Sequence, residues 1–221
     1  KGELVDTITA TDIGSNYGVY FFGKDLKNIQ KWSAESPELY TAEFAIYSKG
    51  RLIHSVKQKF GFRTVEVRKR DGVYVNGIKI KFKGVNRHSF RPETGRTMSY
   101  ANSLEDVQLI KSMNMNAVRM SHYPPDGHFL DVCDSLGLFV IDELTGWQGN
   151  YDTPTGSRRV KELVEHDRDH PSIVIWANGN EGGHNTDLDT LFKDYDPQQR
   201  PVIHPWQLFS DIQTQHYREY N

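Results

Sequence analysis

Cys133 is the one cysteine in 221 residues. That excludes a disulfide within the chain and leaves the redox compartment open, so periplasmic, secreted and cytoplasmic locations all stay possible. No apolar run approaches the roughly 20 residues of a membrane-spanning helix. Neither sign of charge dominates. The 27 Lys and Arg against 29 Asp and Glu give a net charge of -2, and no electrostatic case for nucleic acid or an anionic membrane. Neither Gly182-Gly183 nor Gly14 sits in a GxGxxG or P-loop pattern, so nucleotide binding lacks support. H-E-x-x-H, paired cysteines and EF-hand loops are missing, and no metal or cofactor is expected. G-x-S-x-G is missing too, which argues against a serine hydrolase. The chain opens on Lys1-Gly2-Glu3-Leu4 with neither an initiator Met nor a signal peptide, and so reads as processed or as a piece of something longer. A hydrophobic content of 37% is low for one compact domain and implies a large polar surface.

Residues 1 to about 62 carry strand patterns. Asn16 to Phe22 and Tyr40 to Tyr47 place β-branched and aromatic residues between turn-formers, and Ser48-Lys49-Gly50-Arg51 reads as a turn into a strand from Leu52 to Phe60. Three or four strands are few for a β-sandwich, which needs about seven. Residues 72 to 80 form a second hairpin around Asn76-Gly77. Strands and helices then alternate. Strands are expected at 82–88, 117–122, 138–143, 173–176 and 201–204, with helices at 103–113, 127–135, 158–168 and 188–195. Ser103 is the expected N-cap of the first helix, with Asp106 completing a capping box. Such alternation predicts a parallel sheet.

At each strand's C-terminal end the apolar run gives way to polar residues: Asn86, Arg87 and His88; Arg119, Ser121 and His122; Asp142 and Glu143; Asn180 and Glu181; His204 and Trp206. Parallel strands put these ends on one side, where α/β barrels carry their sites. Glu181 follows Trp176-Ala177-Asn178-Gly179-Asn180 and precedes Gly182-Gly183. A carboxylate on such a turn can titrate near neutrality if apolar neighbours disfavour its charge. A solvated loop Glu would show the same letters. Asn180 is otherwise a turn residue. His88 and His122 serve either as packed scaffold or as sugar contacts, and Arg119 pairs with either Asp142 or Glu143. The 12% aromatic content, with 11 Tyr and 4 Trp, suits sugar rings as well as ordinary packing.

These residues resemble glycoside hydrolase family 2, most closely its β-galactosidase branch. The resemblance rests on Trp32 to Pro37 with Leu39-Tyr40, Gly61-Phe62-Arg63, Gly84-Val85-Asn86-Arg87-His88, Asn116-Ala117-Val118-Arg119 with Ser121-His122-Tyr123-Pro124, Asp142-Glu143, His170-Pro171-Ser172 and Gly179-Asn180-Glu181, in family order. It implies an α/β fold, the N-terminal half of a (β/α)8 TIM barrel over 63–221, preceded by part of an immunoglobulin-like β-sandwich over 1–62. It implies that Glu181 is the general acid/base and that Asn180 holds the sugar's 2-hydroxyl. His88 and His122 would line the subsite of the terminal sugar, with Arg119 in support. The partner would be an oligosaccharide or glycoside substrate.

Magnesium-dependent members carry Glu-x-His-Gly after the Asp-Glu strand. Here those positions read Trp147-Gln148-Gly149, so the magnesium site is expected to be lost, and Trp147 becomes either a wall of the sugar site or a packing residue. The family's nucleophile lies near the seventh barrel strand. This chain ends at Asn221, near the fifth, and Glu219 follows no buried strand. The expectation is an internal fragment, inactive by itself, whose open sheet edges favour self-association. β-Galactoside leads as substrate. A β-glucuronidase or a catalytically silent carbohydrate-binding piece is the alternative.

Overall fold

A computed structural model of the chain describes residues 3–9 and 23–215. By packing, the chain groups into Lys1–Gln30 and Lys31–Asn221. In the first unit the described residues form no regular element, and Lys24 Nζ donates to Asp6 Oδ1 at 2.8 Å. The strand expected at 16–22 and Glu219 lie outside the described residues.

The second unit opens with an antiparallel hairpin, β1 (Tyr40–Ser48) and β2 (Arg51–Phe60). A three-stranded antiparallel sheet follows: β3 (Val65–Arg68), β4 (Gly72–Val75) and β5 (Ile78–Ile80). Asn76 and Gly77 both have positive φ, 52° and 79°, as the anticipated two-residue turn requires. β3 was not foreseen, because four residues reading Val-Glu-Val-Arg are too short a pattern to stand out.

The rest is a partial (β/α)8 barrel. Its strands are β6 (Gly84–Arg87), β7 (Ala117–Met120), β8 (Phe139–Trp147), β9 (Ile173–Asn180) and β10 (Val202–Ile203). Helices α1 (Tyr100–Ser112), α2 (Gly127–Leu136), α3 (Thr153–Asp167) and α4 (Asp189–Tyr195) connect them. The five strands lie in the order β10-β9-β8-β7-β6, and every pairing is parallel. Among the described residues, no helix is long and apolar enough to cross a membrane.

Two layers of core sandwich the sheet. Val118, Met120, Val140, Leu144 and Trp176 pack with Val107, Phe129, Cys133, Val160, Val164 and Phe192 of the helices. Ala117, Phe139, Val174, Ile175, Ala177 and Ile203 pack with Trp32, Val73 and Val75. At the strands' N-terminal ends, Trp32 Nε1 donates to the Asp134 carbonyl at 2.8 Å and Arg63 Nε to the Pro171 carbonyl at 2.5 Å. Asp134 also accepts from the Ser172 N–H at 3.0 Å and pairs with His170 at 2.6 Å. Gly61-Phe62-Arg63 and His170-Pro171-Ser172 thus build one clasp at the end of the sheet away from the polar rim. Desolvation, reinforced by the Arg200 charge, lowers the Arg63 guanidinium to about 9.

Helix α1 begins earlier than expected. Its N-cap is Ser99, whose hydroxyl accepts from the Asn102 N–H while the Asn102 side chain accepts from Ser99 N–H. Ser103 is fully buried instead, its hydroxyl bonded to His128 Nδ1 at 2.9 Å. Helix α3 starts at Thr153 behind the Asp152 cap, five residues before the expected Arg158.

Candidate active site

Strand β9 is buried along its whole length, which the flanking helices and strands require of a central strand in a parallel sheet. It ends at Asn180, and Glu181 adopts a left-handed backbone, φ 45°, between Gly179 at 75° and Gly182 at 87°. Glycine is needed here for proximity as well. A Cβ on Gly179 would lie 2.0 Å from the Gly183 carbonyl oxygen, and one on Gly146 2.1 Å from the same atom. The end of β8 and the turn after β9 therefore pack backbone against backbone. In that register Trp147 lies opposite Asn180. The Trp147 indole Nε1 donates to Glu181 Oε2 at 2.9 Å.

Beneath this pair is a charged layer. The pleat of β8 sends neighbouring side chains to opposite faces. Val140 and Leu144 join the helix-facing core while Phe139 joins the inner one. Glu143 shares the inner face with Arg119, whose guanidinium donates to it; Asp142 does not. His122 Nδ1 meets the other Glu143 oxygen at 3.0 Å. Burial pushes the Glu143 carboxyl up to about 8, against the charge and hydrogen bond of Arg119. Asp142 is fully buried, and burial followed by the neighbouring Asp167 holds it well above the ordinary carboxylate range.

Arg119 also donates to Asn180 Oδ1 at 2.8 Å. A guanidinium has no acceptor, so the amide must face it with its oxygen, and the NH2 points away. Asn180 Nδ2 is buried there without a hydrogen-bond partner, and Arg119 Nε is in the same state. Buried donors without partners are rare, and each needs an explanation such as a ligand or water.

Around this layer runs a wall of rings. His122 lies against Trp147 with centroids 5.3 Å apart, and His88 sits edge-on to His122 at 5.3 Å and to Tyr123 at 5.9 Å. The Arg96 guanidinium covers Tyr123 at 3.8 Å. Glu181, Asn180, Arg119, His122, Trp147 and His88 thus form one connected set of contacts. Arg87 and His204 are among the polar strand-end residues that do not join it. Arg87 turns to the helices, bonded to Asp106 at 2.8 Å and lying over Phe129 at 4.0 Å. His204 is buried against Asp189 at 2.8 Å, with the His184 ring 4.8 Å away. Neither Tyr123 nor Gly146 was expected at the site, although Tyr123 stands in the Ser121-His122-Tyr123-Pro124 stretch that carries the family resemblance. The family's magnesium does not fit the end of β8, because the indole nitrogen of Trp147 can only donate and offers no lone pair to a cation.

A family model described as "Glycosyl hydrolases family 2, TIM barrel domain" matches residues 65–205, and "Glycosyl hydrolases family 2" matches 4–63. A β-galactosidase of Halalkalibacterium halodurans is 38% identical over 222 residues, covering 88% of this chain and 22% of its own length. One from Pseudoalteromonas haloplanktis is 36% identical over 197 residues, covering 80% and 18%. Among solved structures, the Bifidobacterium dentium β-glucuronidase complexed with coumarin-3-O-glucuronide aligns with a TM-score of 0.75 and 28% identity, over 81% of this chain and 32% of that one. A Bacteroides vulgatus β-glycosidase gives a TM-score of 0.74 at 28% identity, over 82% and 25%. The chain spans about a fifth of the length of these two curated relatives. With the barrel-domain model matched across the strands that carry this site and the second model matched just before it, the chain belongs to glycoside hydrolase family 2.

Proposed function

We propose that these residues are the acid/base half of a retaining exo-β-glycosidase site, with terminal β-galactosides as the leading substrates. The observation that carries the reading is Asn180. Arg119 holds its oxygen, leaving a buried NH2 beside Glu181 with nothing to donate to. A sugar 2-hydroxyl supplies that acceptor, and the bond strengthens as the ring becomes oxocarbenium-like. Glu181 gives its proton to the glycosidic oxygen as the C–O bond breaks. It then takes one from the water that releases the sugar from a second carboxylate. No residue of this chain is assigned as that carboxylate. Glu143 is committed to Arg119 and His122. His122, Trp147 and His88 wall the terminal-sugar subsite.

A division into a partial sandwich over 1–62 and a partial barrel over 63–221 fits where the two family models meet. β-Glucuronide is the nearest rival substrate, since relatives of both names align. Asn86-Arg87-His88 favours galactoside only modestly, and Arg87 is spent on α1. The described residues present five barrel strands, and β6 and β10 each lack a second neighbour among them. Purified on its own, this chain is expected to self-associate and to leave aryl β-galactosides intact.

A sugar-panel hydrolysis screen on the longest native polypeptide that contains these residues tests the reading. Turnover of aryl β-galactosides, with a loss of about 100-fold or more in Glu181→Gln on poor leaving groups, is the expected result. Binding of galactosides without turnover would leave only a carbohydrate-binding role. Brisk hydrolysis by residues 1–221 alone, abolished by Glu181→Gln, would refute the claim that this chain holds half a site.

A further inference from the structure

We propose that Trp147 is a positioning residue that decides which oxygen of Glu181 carries the catalytic proton. The inference rests on Glu181 being the acid/base. An indole N–H can only donate, so the oxygen it faces must offer a lone pair in both protonation states. Trp147 Nε1 faces Oε2 at 2.9 Å. A hydroxyl Oε2 would accept that bond less well than a carbonyl Oε2, so the proton is favoured on Oε1, and Oε1 is the atom that meets the glycosidic oxygen. When Glu181 is ionised the same bond becomes charge-assisted and stronger. Trp147 therefore favours the carboxylate and makes Glu181 a readier proton donor.

The indole is well placed to do this. It closes the register of β8 against β9, opposite Asn180. The ring leans on His122, centroids 5.3 Å apart, and His122 is itself bonded to buried Glu143. Glu181 sits on a left-handed residue beside Gly182, and Trp147 reaches it from the β8 side.

Trp147→Phe keeps an aromatic ring near His122 and removes the N–H together with the five-membered ring that carries it. Trp147 is 59% exposed, so this swap opens no core cavity. A second variant replaces Trp147 by benzothienylalanine, which keeps the bicyclic shape and puts sulfur where the N–H was. Both are to be made in the longest native polypeptide containing these residues. The pH profile of kcat/KM is expected to shift its basic limb upward by roughly half to one pH unit, because a bond that favoured the ionised acid is gone. Aryl glycosides with poor leaving groups should lose about 10-fold or more, while dinitrophenyl glycosides, which need little protonation, change less than about threefold. An unmoved basic limb with equal losses on both leaving groups overturns the positioning role and leaves the glycosidase reading intact. If the unmodified protein hydrolyses no aryl β-glycoside, that reading falls, and this inference falls with it.

Discussion

Arg119 bonds the carboxylate of Glu143 and the amide oxygen of Asn180 with one guanidinium. Asn180 and Arg119 respond differently to mutation. Asn180→Ala removes a donor that has no partner in the protein together with the buried oxygen that Arg119 donates to, so stability should fall by about 1–3 kcal/mol, while kcat/KM on a 2-hydroxyl sugar falls about 100-fold and on its 2-deoxy analogue much less. Equal losses on both sugars would show that Asn180 does not meet the 2-hydroxyl. Arg119→Ala takes the donor from two buried oxygens, one on Glu143 and one on Asn180, which costs about 1–3 kcal/mol for each group left unsatisfied. A lowered unfolding midpoint together with lost activity is the expected result, and an unchanged midpoint would contradict it. Much of this was legible from the letters alone. The polar strand ends picked out Arg119, Asn180 and Glu181. Which carboxylate Arg119 takes was left open between Asp142 and Glu143, although strand alternation decides it, since adjacent residues in β8 cannot share a face. The unpartnered Nδ2 of Asn180 was not legible, because it depends on an orientation that only the neighbouring guanidinium sets.

At the scale of elements, the site depends on two backbones that touch. Gly146 near the end of β8 and Gly183 after β9 approach so closely that a Cβ on Gly183 would lie 2.3 Å from the Gly146 carbonyl carbon. Backbone cannot swing aside as a flexible side chain can. Gly183→Ala should therefore force the two strand ends apart, costing more than about 2 kcal/mol and uncoupling Trp147 from Glu181. Thermal unfolding and activity are expected to fall together, and full activity with a wild-type midpoint would rule this out. From sequence, Gly182-Gly183 read as a loosened turn. The turn is real, but Gly183 is demanded by contact with a residue far away in the chain, which no local pattern encodes. The α1 boundary failed for a related reason. Ser103 and Asp106 match the capping-box spacing, but so do Ser99 and Asn102, and the structure buries Ser103 against His128. Local propensity offers both starts, and tertiary packing chooses between them.

For the whole molecule, the alternation of strands and helices was enough to give a parallel sheet in sequence order, because a right-handed crossover lays each strand beside the last. The charges that this fold buries on both faces of the sheet set its response to pH. Asp142 and Glu143 are both held above their ordinary pKa by burial, Glu143 at about 8. The folded chain therefore binds more protons than the unfolded one above roughly pH 4, and stability falls as pH rises, by up to about 1.4 kcal/mol per pH unit for each proton. For Glu143 the fall runs from its unfolded value of 4.5 to about 8. His170 acts in the same direction: burial lowers its pKa, but the bond to Asp134 outweighs this and raises it, so its contribution is present at low pH and is lost as pH climbs past 6.5. Asp196 opposes them. Burial raises it, but Arg200 and Trp176 hold it below its ordinary 3.8, so its contribution is lost only in strong acid. The balance predicts an unfolding midpoint higher at pH 6 than at pH 9. Asp142→Asn isolates one source, since the amide keeps an oxygen for the Glu143 N–H, bonded at 2.9 Å, and cannot ionise. Its midpoint should decline less than wild type between pH 6 and 9, so that the two curves converge or cross at the alkaline end. Curves that stay parallel across that range would mean that Asp142 does not carry a native-state proton, and the alkaline loss would then belong to Glu143 and His170 alone.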